Sequence, residues 1–300
     1  MRSDRIGVLL MAHGTPASLD EMPEYLRLVR GGRPPSPELI AEMQHNYAAI
    51  GGRSPLTAIS EEQGRALQAL LDENGIPALV VVGMRHWHPF IADVARALVD
   101  APVTRVFGIP LAPQYSSLSV QKYMGAAQAA LPSPVRFSCL ESFHDHPRLI
   151  QAFAERVHEA GPREREEVVF TAHSLPVRVI ENGDPYASEV ARTAAAVAAA
   201  CGVTDYQLAW QSAGRTPEPW LAPDLSDLIR QRSAAGTTAF LVVPVGFVCD
   251  HTEILFDIDV QAADVAKTLG VSLRRTASLN TSPTFIRALA DLVERELARN

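Results

Sequence analysis

The sequence predicts an α/β fold: parallel sheets with helices packed on both faces. Three observations lead there. Short apolar runs alternate with helical periods along the chain, the rhythm of strand–helix–strand units. The runs are continuously apolar, as strands covered on both faces are. They fall into similar sets on either side of a polar stretch at Glu141–Pro147, so the chain divides into two Rossmann-like lobes, residues 1–145 and 146–300, with a cleft between them. No sequence repeat between the halves is evident, so the duplication is architectural. The last helix is placed to pack back on the first lobe.

Taken in order, the predicted strands are Ile6–Met11, Ala78–Gly83, Arg105–Gly108 and Val135–Ser138 in the first half. In the second they are Val168–Thr171, Tyr206–Trp210, Phe240–Val245 and Ser272–Arg274. Helical periods lie between them at Ser60–Asn74, Ile91–Asp100, Ser119–Ala130, Pro147–Ala160, Ser188–Ala200 and Ser282–Ala298. The alanine run Ala194–Ala200 reads as a strong helix former packed closely on a sheet. Pro16–Pro35, rich in proline and glycine, reads as a mobile lip.

The composition excludes several classes. The chain has 300 residues, 47% apolar and 20% charged, the balance of a globular protein. Net charge is −7 from 27 basic and 34 acidic residues, with no basic stripe, which argues against nucleic-acid binding. No apolar run approaches the roughly 20 residues of a membrane helix. The chain enters a strand at Ile6, so no secretory leader is expected and the protein is read as cytoplasmic. The 3 cysteines, Cys139, Cys201 and Cys249, are far apart. They read as reduced, small, buried side chains rather than disulfides or cluster ligands.

Ligands of open α/β sheets bind beyond the carboxyl ends of the strands, and two motifs fall there. Thr171-Ala172-His173-Ser174-Leu175-Pro176 follows one apolar run, and Gly246-Phe247-Val248-Cys249-Asp250-His251-Thr252-Glu253 follows another. His173 alone is either an incidental histidine in a helix-capping turn or a base and metal ligand. Glu253 and Asp257 are spaced i, i+4 on the helix expected next, where like charges repel by a few tenths of a kcal/mol. They are either a solvated acidic face or a site for a cation or proton. One imidazole and one carboxylate are then expected to project into the same crevice, where such a pair can bind a divalent metal, move protons, or both. His13-Gly14-Thr15-Pro16 lacks a G-x-G-x-x-G pattern, so dinucleotide binding is unsupported.

Further strand-end and turn motifs add to these: Gly183-Asp184-Pro185-Tyr186, Gln211-Ser212, Trp220, Tyr47 with Gly51-Gly52-Arg53-Ser54-Pro55, Gly83-Met84-Arg85-His86, and Ser119-Val120-Gln121 with Tyr123. In their order along the chain they resemble the ferrochelatase family over nearly its whole length. The resemblance implies a lyase of haem biosynthesis that inserts Fe(II) into a porphyrin, uses no organic cofactor, and has a chelatase-type fold of two lobes around a porphyrin cleft. It implies His173 and Glu253 as the catalytic and metal-site pair, facing each other across a slot wide enough for a flat tetrapyrrole. It implies His13, Arg30, Tyr47, Ser54 and Tyr123 as porphyrin-holding residues, with His13 reaching the iron of the product. Asn46 stands where an arginine is frequent, so that propionate contact is in doubt. Gln261 stands where some members carry a glutamate, so no strong outer metal site is expected. An iron–sulfur cluster would need four cysteines.

Met11-Ala12-His13-Gly14-Thr15-Pro16 resembles members acting on coproporphyrin III, which implies iron-coproporphyrin III as product and a coproheme decarboxylase as the next enzyme. Protoporphyrin IX ferrochelatase is the alternative. A cobalt or nickel chelatase and a non-catalytic porphyrin carrier are the remaining readings.

Overall fold

The computed structural model describes residues 5–101, 103–132, 135–214 and 216–299. It separates into two compact units. The first comprises the described residues of Met1–Ala112, Ser116–Phe143 and Asn280–Asn300, and the second Pro113–Tyr115 with His144–Leu279.

The first unit is built on β1 (Arg5–Ala12), followed by α1 (Met22–Val29), α2 (Pro37–Ala49), α3 (Leu56–Glu73), β2 (Ala78–Met84), α4 (Ile91–Asp100), β3 (Val103–Pro110), α5 (Val120–Ala130) and β4 (Arg136–Cys139). The strands form one parallel sheet in the order β2-β1-β3-β4. β1 is central and buried from Ile6 to Ala12, which explains its unbroken apolar sequence. Leu9, Met11, Ile91, Ala95, Leu98 and Val106 form a core cluster against the sheet. Each of its larger side chains, Leu9, Met11, Ile91, Leu98 and Val106, contributes roughly 1.5–3 kcal/mol by leaving water.

The second unit runs α6 (Pro147–Ala160), β5 (Glu167–His173), α7 (Val177–Glu181), α8 (Tyr186–Cys201), β6 (Tyr206–Gln211), α9 (Leu225–Ala234), β7 (Ala239–Val243), α10 (Thr252–Leu255), a π-helical turn (Asp257–Ala262), α11 (Ala263–Leu269) and β8 (Ser272–Arg275). The last helix of the chain, α12 (Pro283–Ala298), falls within the first unit. The second sheet is again parallel, in the order β6-β5-β7-β8. Adding four to each strand number of the first sheet gives the second, so the two units share one topology.

Local chemistry sets the helix boundaries. Asp224 caps α9 by accepting from the Ser226 amide at 2.8 Å, and Ser282 caps α12 by accepting from the Phe285 amide at 3.2 Å. In α8 the residues Val190, Thr193, Ala194, Val197 and Ala198 are buried at helical spacing, so the alanine-rich stretch is an amphipathic helix lying close on its sheet.

Two expectations are corrected. Pro16–Pro35 is not simply a lip: it contains a 3-10 turn (Leu19–Glu21) and α1, whose Met22, Tyr25 and Leu26 are buried with Tyr47. A short sequence repeat does link the halves. Ala12-His13-Gly14-Thr15-Pro16 leaves β1 and Ala172-His173-Ser174-Leu175-Pro176 leaves β5, and these are equivalent strands of the two sheets. Of the cysteines, Cys249 is buried, whereas Cys139 and Cys201 are partly exposed.

Candidate active site

In the second unit, β5 and β7 are adjacent and parallel, so both chains leave the sheet at the same edge. His173 is the last residue of β5. After β7 the chain turns against the end of β5, where the Gly246 amide donates to the Thr171 carbonyl at 3.1 Å. A Cβ at Gly246 would lie 2.5 Å from the Ala172 Cβ and 2.7 Å from its Cα, so only glycine permits this approach. The approach carries His251 and Glu253, in the first turn of α10, to His173.

The tautomers follow from the partners. His173 Nδ1 bonds the Ser174 carbonyl, and His251 Nδ1 bonds the Cys249 carbonyl at 2.9 Å. A carbonyl only accepts, so each Nδ1 carries its hydrogen and each neutral ring turns its Nε2 lone pair elsewhere. Both lone pairs turn to one carboxylate. His173 Nε2 lies 3.5 Å from Glu253 Oε1, and His251 Nε2 lies 3.6 Å from Glu253 Oε2. These separations exceed an ordinary hydrogen bond. They leave the locus ready to share a proton or a cation. The His173 and Glu253 side chains are 31% and 36% exposed, against 11% for His251, so the first two present the open side.

Supporting groups hold this arrangement. The buried Tyr186 phenol hydrogen-bonds the His173 backbone, and burial, then the Glu253 charge, pushes its pKa up, which keeps it neutral. The Gln211 side-chain amide donates to the Glu253 carbonyl at 2.5 Å. Ser212, held at φ 60°, donates its hydroxyl to Asp257. Burial first, and Glu253 second, push the Asp257 carboxyl up to about 7. Sequence reasoning placed Tyr186, Gln211 and Ser212 only at turns and strand ends. Nothing local signals the left-handed conformation of Ser212.

Two expectations about this site are corrected. Glu253 and Asp257 do not share one continuous α-helix. α10 ends at Leu255, and the Gln261 amide reaches back five residues to the Phe256 carbonyl at 2.8 Å. Such single π-turns are rare and concentrate at functional sites. Nor do His173 and Glu253 face each other across a slot. A flat ring between them would need roughly 7 Å, two van der Waals contacts, whereas they stand 3.5 Å apart.

In the first unit, His13 directly follows β1. Its Nε2 lies 3.1 Å from the Tyr25 hydroxyl, and its ring is 4.6 Å from that of His86. Burial, then His13 and Arg85, lower the His86 pKa to about 3, so His86 is neutral near pH 7. Gly14 adopts φ 85°, and a Cβ there would lie 2.7 Å from the Met84 Cβ, so this turn also requires glycine. Tyr47 is buried with Tyr25 and Met22, Ser54 is buried at the start of α3, and Arg30 is exposed at the end of α1. Tyr123 packs in the other cluster, with Leu9, Met11 and Ala127. Tyr25 and His86 were not singled out from sequence as site residues.

The family model described as Ferrochelatase matches residues 5–297. The chain belongs to the ferrochelatase family. It is 45% identical over 304 residues to a ferrochelatase from Deinococcus radiodurans, covering 98% of this chain and 96% of that protein. It is 41% identical to a coproporphyrin III ferrochelatase from Anoxybacillus flavithermus, covering 98% and 97%. Among solved structures, SirB from Bacillus subtilis with Fe3+ superposes with TM-score 0.58 at 15% identity, covering 97% of this chain and 95% of that one. CbiX, described as the terminal enzyme of siroheme biosynthesis in denitrifying bacteria, gives TM-score 0.55 at 16% identity, covering 96% and 98%. These two likenesses establish the chelatase fold. As a ferrochelatase the chain is a metal-inserting porphyrin chelatase of haem biosynthesis, with Fe(II) and a porphyrin as substrates. No described helix of this ferrochelatase is long and apolar enough to cross a membrane.

Proposed function

We propose that this ferrochelatase inserts Fe(II) into coproporphyrin III, with His173 and Glu253 as the pair that meets the metal and takes the pyrrole protons. The observation that carries this reading is the contact of His173 Nε2 with Glu253 Oε1 at 3.5 Å, made while Nδ1 is already committed to the Ser174 carbonyl. Insertion exchanges two pyrrole protons for one dication, leaving a neutral metalloporphyrin core. A neutral imidazole is a base of pKa near 6.5 and a fair Fe(II) ligand. The adjacent carboxylate supplies the negative charge that favours a dication. With His251 Nε2 on its other oxygen at 3.6 Å, Glu253 can pass a proton inward, away from the ring. Distortion of the macrocycle is then a matter of complementarity to the transition state rather than of a reactive group.

Several features support coproporphyrin III as the porphyrin. Relatives at 38–41% identity bear that substrate in their names, and Met11-Ala12-His13-Gly14-Thr15-Pro16 resembles the motif of members acting on coproporphyrin III, with His13 where a tyrosine is common. Arg30, exposed at the end of α1, suits a propionate. Ser54 and Tyr47 lie near the following turns, and His13 offers an imidazole to the iron of the product. The deep packing of Tyr123 among Leu9 and Met11 suits a wall rather than a propionate contact. The 3 cysteines fall short of the four that a cluster takes. A cytoplasmic enzyme passing iron-coproporphyrin to a decarboxylase completes the reading.

The test is anaerobic insertion followed by absorbance, with Fe(II) offered together with coproporphyrin III or protoporphyrin IX. Metalation of both is expected, with the higher kcat/KM for coproporphyrin III. A higher kcat/KM for protoporphyrin IX would reverse the substrate assignment. A flat trace with both, alongside retained porphyrin binding, would mark a carrier.

A further inference from the structure

The helix that begins at the Glu253 turn is irregular at its start. α10 (Thr252–Leu255) passes into the π-turn Asp257–Ala262 and on into α11 (Ala263–Leu269), so the backbone ladder changes spacing just after Glu253. A contact from outside the helix can fix that irregular start. Arg275, the last residue of β8, is placed to do so. Its Nε and NH2 grip both carboxylate oxygens of Asp259 at 2.7 and 2.9 Å. The same NH2 lies 3.1 Å from Asp250 Oδ1. The Ser278 hydroxyl donates to that oxygen at 2.7 Å, and Arg275 NH1 donates to the Thr276 carbonyl at 3.0 Å.

Asp250 precedes Glu253 by three residues and Asp259 follows it by six. One guanidinium therefore ties together the two ends of the stretch containing His251, Glu253 and Asp257. The Arg275 side chain is 15% exposed, and Asp250 and Asp259 are 22% and 39% exposed. The clamp is thus partly withdrawn from water, where such pairs are stronger than on an open surface. A lysine keeps the charge but not the planar fork, so it can serve one carboxylate and not both.

We propose that Arg275 is a positioning residue for metal insertion: it brackets the segment between Asp250 and Asp259 and so holds Glu253 in register with His173. This rests on the assignment of Glu253 above. Arg275 touches neither metal nor porphyrin in this role, so its loss acts on turnover rather than on porphyrin binding.

The test uses the full-length protein and two variants, Arg275→Lys and the milder Asp259→Asn, which removes only one arm. Steady-state insertion, porphyrin affinity by fluorescence and amide hydrogen exchange are measured for each. For Arg275→Lys, kcat is expected to fall about tenfold or more, with the porphyrin KM and Kd unchanged within about twofold. Amides of residues 251–259 are expected to exchange at least tenfold faster, while those of β5 keep their rates. Asp259→Asn should fall between wild type and Arg275→Lys. The double variant should be no worse than Arg275→Lys, because contacting partners are not additive. Wild-type kcat and exchange in Arg275→Lys would overturn the proposal, as would a loss of porphyrin affinity matching the loss of kcat. If the wild type inserts no metal, the functional reading fails instead, and unchanged exchange at 251–259 still decides against the clamp.

Discussion

At Asp257 burial and the neighbouring Glu253 charge hold a carboxyl at about 7, against an ordinary value of 3.8. The sign of its effect on stability follows. Below about pH 4 the acid is protonated in both folded and unfolded chains. Between about pH 4 and 7 the unfolded chain releases the proton and the folded one keeps it, so stability falls as pH rises through that window and levels off above it. Asp257→Asn removes this slope. Relative to wild type, the variant should gain on the order of a few kcal/mol between pH 4 and pH 8, read by urea unfolding. An equal difference at the two pH values would show that Asp257 titrates normally. The residues that make this site were unequally legible. His173 and Glu253 stand at the ends of apolar runs, where strand-end logic points. Ser212 and Arg275 act through a left-handed backbone and a clamp spanning 25 residues, which leave no local pattern. The second imidazole on Glu253, His251, was visible in the motif, but its contact with Oε2 was not.

Among the elements, the strands were the most legible, because burial on both faces demands unbroken apolar sequence. β5 is buried from Val168 to Ala172, and its run of Val168, Val169 and Phe170 says so. The segment after β7 was the least legible. A helical period continues through Ile254, Ile258 and Ala262, all buried in one cluster, and it conceals the extra residue that converts one turn to a π-turn. Pro16–Pro35 reads as a lip because breakers punctuate it at both ends, although Met22, Tyr25 and Leu26 of α1 give its middle a buried face. The close passage of the β7 exit over β5 gives a prediction at this scale. Gly246→Ala puts a methyl 2.5 Å from the Ala172 Cβ, an overlap with rigid backbone nearby. It should cost about 1–3 kcal/mol, lower Tm by several degrees, and depress insertion more than porphyrin binding, because the strand end carrying His173 is the part displaced. A variant with wild-type Tm and turnover would show that the loop relaxes freely.

Across the whole molecule, one topology is used twice, β2-β1-β3-β4 and β6-β5-β7-β8, and each central strand ends in the same Ala-His-x-x-Pro turn. The duplication was legible from element order; the five-residue repeat emerged only once the equivalent strands were known, since so short a match is invisible without a register. The two turns differ in their neighbours. His13 lies beside Tyr25 and the neutral His86, where the proposed function places a porphyrin contact. His173 lies beside Glu253, with His251 and Asp257 behind it, the pair to which the proposed function assigns the protons and the dication. The most direct measurement is therefore anaerobic Fe(II) insertion by wild type, His173→Ala and Glu253→Gln, paired with porphyrin titration of each. The account predicts that both variants bind porphyrin within about threefold of wild type and lose insertion by about a hundredfold or more, the range expected for a lost proton-transfer group. Insertion at wild-type rates in either variant, with porphyrin bound, would contradict it.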